Sequence, residues 1–257
     1  MADGSEYVVH MVTDNAANYV AAGRLLEREF QTLFWSPCAA HCINLMFHDI
    51  GKLDEVSNVV SQASKITKYI YNHCYPLHLM RKFTGRREIH RLAPTRFATN
   101  FIALQSILAQ KDPLRAMCFG KSVLLLCNLL STIVQLTEPL VRVLRIVDSD
   151  EKPSMGYLYE AIHVAKSEME RRFQRMKNRV APYLQIIQNR WDSQLRKNLH
   201  ATRQAHGDFG RLSAVADRHR MAPDEWWTCY GCSAPNVQTL AIRVLSQTCS
   251  SSSCKRN

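Results

Sequence analysis

Apolar residues recur every three or four positions over most of this sequence, a spacing that favours helices. The clearest run predicts one helix from Gly156 to about Val180, with core positions at Leu158, Ile162, Ala165, Met169, Phe173, Met176 and Val180. Similar patterns predict helices over 38–50, 53–73, 95–109, 121–147 and 236–247. A chain patterned in this way is expected to be mostly helical.

The beginning of the chain has a different pattern. The Val-rich stretch from Tyr7 to Thr13 predicts a short buried strand, and Thr32 to Trp35 is a second short apolar run. Asp14 ends the first strand, and the next apolar spacing predicts a helix towards Gln31. Asp14 is either the N-cap of that helix or a magnesium-binding carboxylate, and position alone favours the cap. The expected fold is α+β and mostly helical, with one or two short strands near the N-terminus.

The chain is basic, with 33 Lys and Arg against 22 Asp and Glu and a net charge of +11. Such an excess favours polyanionic partners, nucleic acid first. The densest basic stretch contains a single acid, Glu88, among the cations Arg81, Lys82, Arg86, Arg87, Arg91 and Arg96. These cations are the predicted contacts to a DNA backbone, and a solvated loop without a ligand is the alternative.

Other features bear on the cellular compartment. The longest uncharged run, Ser122 to Thr137, is too short to span a bilayer, and the acidic start at Asp3 and Glu6 is unlike a secretory signal. Nine cysteines without a repeating spacing suggest reduced thiols. An intracellular protein without a membrane partner is expected.

Particular sequence motifs resemble those of hAT-type transposases, the enzymes of the hobo and Activator elements. The similarity begins with Val12-Thr13-Asp14-Asn15-Ala16-Ala17-Asn18 and continues with Pro37-Cys38-Ala39-Ala40-His41-Cys42. It extends through Pro94-Thr95-Arg96-Phe97-Ala98-Thr99-Asn100 to Trp226-Trp227 and Tyr230-Gly231 near the end. The quoted motifs are spread over nearly the whole chain.

The resemblance implies a partial RNase H-like core in which Asp14 matches the second of three catalytic, magnesium-binding acids. His41 matches a histidine that assists the chemistry, which makes zinc binding by Cys38 and His41 unexpected. Arg96 matches a position close to DNA, and Phe97 can stack on an exposed base. The C-terminal part is similar to a dimerisation region, with predicted contacts at Trp226, Trp227, Tyr230, Leu240 and Leu245.

Departures from the family's pattern are equally informative. The acid expected on an earlier strand has no counterpart, and no Glu lies between His200 and Asp208, where the third is expected. Asp14 and His41 are therefore interpreted as remnants of a catalytic site, and magnesium is expected only if some activity is retained. The resemblance also makes zinc unexpected at Cys229, Cys232, Cys249 and Cys254.

The hypothesis from the sequence is a nuclear, DNA-binding and dimerising protein without transposition activity or a small-molecule substrate. The predicted division is a transposase core over 1–110, a helical region over 111–201 and a dimerisation segment over 202–257. Two alternatives stay open. The chain is an interaction relic that forms mixed dimers with an intact transposase, or it is a fragment of an active transposase.

Overall fold

The computed structural model describes residues 8–30, 32–92, 97–117, 121–149, 154–195, 212–218 and 220–251. Two strands lie near the N-terminus, β1 (His10–Thr13) and β2 (Phe34–Pro37). The helices of the N-terminal half are α1 (Ala17–Glu29), α2 (Ala39–Gly51), α3 (Asp54–Asn72), α4 (Cys74–Phe83), α5 (Phe97–Ala109) and α6 (Lys111–Met117). The remaining helices are α7 (Lys121–Val147), α8 (Met155–Arg172), α9 (Lys177–Arg190), α10 (Leu212–Asp217), α11 (Pro223–Tyr230) and α12 (Pro235–Leu245). The prediction of a mostly helical α+β fold is confirmed.

The two strands pair in parallel, with His10 opposite Phe34 and Thr13 opposite Pro37. The His10 ring stacks on Phe34, and its Nε2 atom lies 2.7 Å from Ser36 Oγ. At the carboxyl end of the pair, the Cys38 backbone N–H donates to the Thr13 carbonyl oxygen over 2.7 Å. This bond fixes the start of α2 beside the end of β1.

Helix α1 packs on β2 through Trp35. The Trp35 backbone N–H donates to Glu27 Oε1 over 3.0 Å, and its indole Nε1–H donates to Thr13 Oγ1 over 2.9 Å. Gly23 lies against the Trp35 ring, so closely that a Cβ atom there would lie 2.3 Å from the indole Cδ2. A glycine at position 23 therefore permits the close approach of helix and strand.

The chain divides into two compact units that are each built from separated stretches. The first contains residues 1–43, 143–165 and 188–257, and the second contains 44–142 and 166–187. The predicted division into three consecutive regions follows other boundaries and remains a prediction.

The core of the second unit is built from the apolar faces that the helical spacing predicts. Phe47 and Phe101 pack with ring centroids 5.0 Å apart, among other fully buried side chains such as Ile70, Met80 and Leu136. At the surface of this unit, Arg172 pairs with Glu168 over 2.5 Å and with Glu138 over 2.7 Å, and Arg142 pairs with the same two acids.

The prediction of one helix from Gly156 to Val180 is wrong. Helix α8 ends at Arg172 and α9 begins at Lys177. The Met176 N–H donates to the Phe173 carbonyl over 2.8 Å, a tight turn that interrupts the helical bonding. Phe173 and Val180 are both buried, so the apolar spacing continues through a break in the backbone.

None of the helices in the described ranges is both long enough and apolar enough to cross a membrane.

Candidate functional site

Asp14 follows β1 directly, and His41 lies in the first turn of α2. The hydrogen bond between the Cys38 N–H and the Thr13 carbonyl joins the end of β1 to the residue that precedes α2. The Asp14 and His41 side chains are half-buried. The N-cap position of α1 is Ala16, two residues after Asp14, so the interpretation of Asp14 as the N-cap residue is wrong. The catalytic roles of Asp14 and His41 stay predictions.

The end of the described chain lies against the same corner of the first unit. The Ala39 N–H donates to the Cys249 carbonyl over 2.8 Å, and the Ser251 N–H donates to Cys38 Sγ over 3.4 Å. Ser154 Oγ accepts from the Cys249 N–H over 3.2 Å and lies 3.1 Å from the Cys249 thiol. Residues 249–251 are thus bonded to Cys38 and Ala39 at the start of α2, and helical spacing does not predict this contact.

Burial determines the pKa of two cysteine thiols in this corner of the first unit. It raises the pKa of Cys42 to about 12, with smaller contributions from Cys38 and Asp14 that the charge of Arg190 opposes. Burial likewise raises the pKa of Cys249 to about 12. Because a thiolate is the metal ligand and nucleophile, these two cysteines act as small apolar core groups at neutral pH.

Within the described ranges, no group of three or more His, Cys, Asp or Glu side chains is arranged to hold a metal ion. Cys229 and Cys232 are exposed whereas Cys249 is buried, and Cys254 lies outside the described residues. Residues 201–207, where the resemblance implies a third catalytic acid, also lie outside the described residues.

The predicted DNA-binding segment begins in the last turn of α4, with Arg81 and Lys82, and continues into a defined turn. Gly85 and Arg86 both have left-handed backbone angles, with φ of 61° and 65°. The Arg86 N–H donates to the Arg81 carbonyl over 2.7 Å, the six-to-one bond of a Schellman helix end. Thr84 and Ile89 are buried, and Arg86, Arg87 and Glu88 between them are exposed. The turn therefore has fixed ends, and the alternative of a solvated segment without a ligand stays open.

Tyr71 of α3 holds the far side of the turn. Its hydroxyl lies 2.7 Å from both Glu88 Oε2 and the Ile89 carbonyl oxygen, and the Arg91 guanidinium lies 4.5 Å from the centre of its ring. Glu88 also accepts from Arg81 Nε over 2.8 Å. The single acid of the segment is therefore paired.

The electrostatics of this cluster agree with its geometry. Hydrogen bonds from Tyr71 and then Arg81 lower the pKa of Glu88, which keeps its carboxylate ionised. Burial, followed by the bond to Glu88, raises the pKa of Tyr71 to about 12, so the phenol stays a donor at neutral pH. Exposed Lys82, Arg86 and Arg87 remain available to a phosphate backbone. Arg96 and the side chain of Phe97 lie outside the described residues.

The predicted dimerisation residues lie in different environments. Trp226 and Trp227 are each 6% exposed and form a cluster with Ala214 and Ala241, against which Tyr230 and Leu245 pack. The Trp226 Nε1–H donates to the Ala214 carbonyl over 2.7 Å. Leu240 is 48% exposed on α12, together with Val237 one turn earlier. The two tryptophans thus hold α10, α11 and α12 together, and Leu240 lies on the outside.

Family models match the two ends of the chain. Residues 2–66 match the domain of unknown function DUF659, and residues 207–257 match the hAT family C-terminal dimerisation region. These two matches support an hAT-type transposase-derived protein. No curated protein matches the chain. The first match contains Asp14 and His41, and the second contains α10 to α12. The basic turn after α4 lies between the two matches.

Sequence reasoning missed several residues of these sites. Tyr71 and Glu88 are seventeen positions apart, and nothing in their spacing predicts the hydrogen bond between them. Val237 carries a usable signal, because it precedes Leu240 by three positions on a predicted helix. Gly85 could also have been identified from the sequence, since a glycine after a basic last turn is typical of a helix end.

Proposed function

We propose that this hAT-type transposase-derived protein binds DNA as a dimer, with the basic turn at 82–87 as a contact to the phosphate backbone. The observation that carries the proposal is the exposure of Lys82, Arg86 and Arg87 on this turn, next to an acid, Glu88, that is paired with Arg81 and Tyr71. A preorganised set of cations binds phosphate with a smaller loss of side-chain freedom than a mobile loop does.

Three further observations support a polyanionic partner. The whole chain carries a net charge of +11. Between Gln62 and Leu92 the sequence has seven Lys and Arg and one acid, so the excess is concentrated around α3 and α4. The Schellman bond at Arg86 fixes the direction in which the cations leave α4. A nuclear location is part of this proposal, because the partner is DNA.

Replacing Arg86 and Arg87 together by glutamine is expected to weaken binding to duplex DNA and to make its salt dependence shallower. Each lost phosphate contact reduces the slope of log affinity against log salt by about 0.9, so the double variant loses about 2. Fluorescence anisotropy with a labelled duplex over a salt series measures both quantities. The matched control is Arg24→Gln with Arg28→Gln, which removes the same charge from exposed positions of α1. Equal slopes for the two double variants would contradict the proposed contact.

We also propose that α12 supplies the dimer contact, through the outward face that carries Val237 and Leu240. These side chains are 46% and 48% exposed, while Ala241 and Val244 on the opposite face are buried. An exposed apolar pair inside a segment that matches a dimerisation region is the simplest candidate for a surface that is covered in the dimer. The roles predicted for Trp226 and Trp227 are then indirect, because their rings hold α12 in place.

Leu240→Asp is expected to weaken the dimer at least about tenfold, because it would bury a carboxylate in an apolar contact. Analytical ultracentrifugation over a concentration series measures the dissociation constant. Leu25→Asp is the matched control, since Leu25 is 61% exposed on α1. If both variants dimerise like the parent, the α12 face is not the contact. Mixing the chain with an intact relative tests mixed dimers, which the dimerisation region also permits.

DNA cleavage is not part of the proposed function. The hAT resemblance implies three catalytic acids, and the one that it matches to a residue of the given sequence is Asp14. Two-metal catalysis of phosphoryl transfer needs several carboxylates around the ions. Magnesium is therefore proposed only for a form in which further acids join Asp14.

A further inference from the structure

Two exposed tyrosines lie at the corner between α3 and α4, and neither takes part in the proposed contact to the phosphate backbone of DNA. Tyr69 in the last turn of α3 is 58% exposed, and Tyr75 at the start of α4 is 72% exposed. A ring as exposed as that of Tyr75 adds nothing to the packing of the core. In the described part of the chain, Tyr75 has no hydrogen bond and no ring contact, so its two faces are available.

His73 makes this corner rigid. It ends α3 and precedes α4, with extended backbone angles of φ −125° and ψ 122°. Its Nδ1 lies 2.8 Å from the Tyr69 carbonyl oxygen, which would otherwise be an unpaired group of the last helical turn. The His73 and Tyr69 rings pack with centroids 4.4 Å apart. Tyr75 therefore projects from a fixed support.

Between Gln62 and Phe83, the charged residues of α3 and α4 are all cations. Exposed Lys65 lies on α3 one turn before Tyr69, exposed Lys68 directly precedes Tyr69, and exposed Lys82 lies on α4. Tyr75, His78 and Lys82 are spaced three and four positions apart, so they share one face of α4, with Tyr75 and Lys82 separated by roughly 10 Å along the axis. An exposed ring that shares a helical face with a cation, next to a second helix that carries two more, combines stacking with phosphate attraction, the combination that binds single-stranded nucleic acid.

We propose that the α3–α4 corner binds unpaired DNA, with Tyr75 stacking on a base and Lys82 and Lys68 contacting the flanking phosphates. This inference rests on the proposed DNA binding and adds a preference for single-stranded segments, such as frayed ends. Tyr69 has one ring face occupied by His73 and supports the corner, whereas Tyr75 meets the base. An apolar protein partner fits less well, because the surrounding cations would have to be desolvated.

The test compares single-stranded poly(dT) with a duplex by fluorescence anisotropy, using the full chain. Tyr75→Ala is expected to weaken poly(dT) binding at least about fivefold while duplex binding changes less than twofold, because stacking is lost and charge is not. The slope of affinity against salt stays unchanged for this variant. Tyr75→Phe keeps the ring and is expected to bind within about twofold of the parent.

Tyr19→Ala is the matched control, since Tyr19 is an exposed tyrosine of α1. Parent-like poly(dT) binding by Tyr75→Ala overturns the inference, and so does a Tyr75→Phe variant as weak as the alanine variant. If the Arg86 and Arg87 double variant loses duplex binding while Tyr75→Ala binds poly(dT) normally, the proposed function stands without the stacking site. If the parent binds neither DNA, both proposals are wrong.

Discussion

Trp226→Ala is expected to unfold the packing of α10, α11 and α12 and to cost roughly 3–5 kcal/mol, the usual range for removing a large buried aromatic side chain. The Trp226 indole is the centre of this segment. It meets Trp227 edge to face at 5.8 Å, packs near Tyr230 at 5.5 Å and lies beneath the Arg218 guanidinium at 5.1 Å. Alanine would leave a cavity in a buried cluster whose other members are Ala214, Trp227 and Ala241.

The hydrogen bond of this indole adds to the loss. Its Nε1–H donates to the carbonyl of the fully buried Ala214, which also accepts from the Arg218 backbone N–H over 3.2 Å, so alanine removes one of two hydrogen bonds. The net loss of one such hydrogen bond is about 0.5–1.5 kcal/mol. Since whole domains are stable by only about 5–15 kcal/mol, losses of this size are sufficient to melt a three-helix segment.

Hydrogen exchange followed by mass spectrometry measures this effect locally, over peptides from 212 to 245. Trp226→Ala is expected to lose protection there, whereas Trp226→Phe keeps most of the packing and loses mainly the hydrogen bond. The Leu240→Asp variant separates structure from assembly, because it should dissociate the dimer with protection retained inside the segment. If Trp226→Ala instead dissociates the dimer and keeps full protection, the indole is a direct dimer contact, as the sequence alone suggested.

The contrast between Trp226 and Leu240 illustrates what a sequence of this kind can predict. Helical spacing identified α12 and placed Leu240 in it. Spacing alone does not show whether a helix face is buried or exposed, because that depends on the neighbouring elements. Aromatic residues are common both in cores and in interfaces, so their type did not distinguish the two roles. Contacts between distant segments decide such cases, and here the decisive one joins Trp226 to Ala214.

The same reasoning explains the successes and failures elsewhere. The strand predicted over 7–13 contains β1, and the second apolar run, 32–35, overlaps β2, because short apolar runs bounded by polar residues are consistent with buried strands. The break between α8 and α9 at Phe173–Met176 was not predictable, because the buried residues on both sides of it follow one continuous helical spacing. Arg81 was predicted as a contact to a DNA backbone, and its pairing with Glu88 was not predicted, because Glu88 lies beyond a turn that helical spacing does not describe. The spacing of residues therefore predicted most elements, and long-range hydrogen bonds determined the state of each candidate site.

Gly23→Ala is expected to destabilise the first unit by roughly 1–3 kcal/mol, although the same change in an ordinary helix stabilises by about 1 kcal/mol. The reversed sign follows from the position of Trp35, whose ring atoms lie 2.3–2.6 Å from the site of the new Cβ atom. Trp35 cannot turn away cheaply, because Thr13 accepts its indole N–H and Glu27 accepts its backbone N–H. The added methyl group must therefore push α1 away from β2.

A double-mutant cycle with Trp35→Leu isolates this contact, with urea unfolding followed by circular dichroism as the measurement. In the Trp35→Leu background the clash is gone, so Gly23→Ala is expected to be neutral or stabilising, and the two backgrounds should differ by at least about 1 kcal/mol. A stabilising effect of Gly23→Ala in the parent would refute the packing described for α1. Because Thr13 binds both the Trp35 indole and the Cys38 N–H, a shift of Trp35 also moves the strand end that carries Asp14. The glycine thus controls the geometry of the one carboxylate that the hAT resemblance places in a catalytic site.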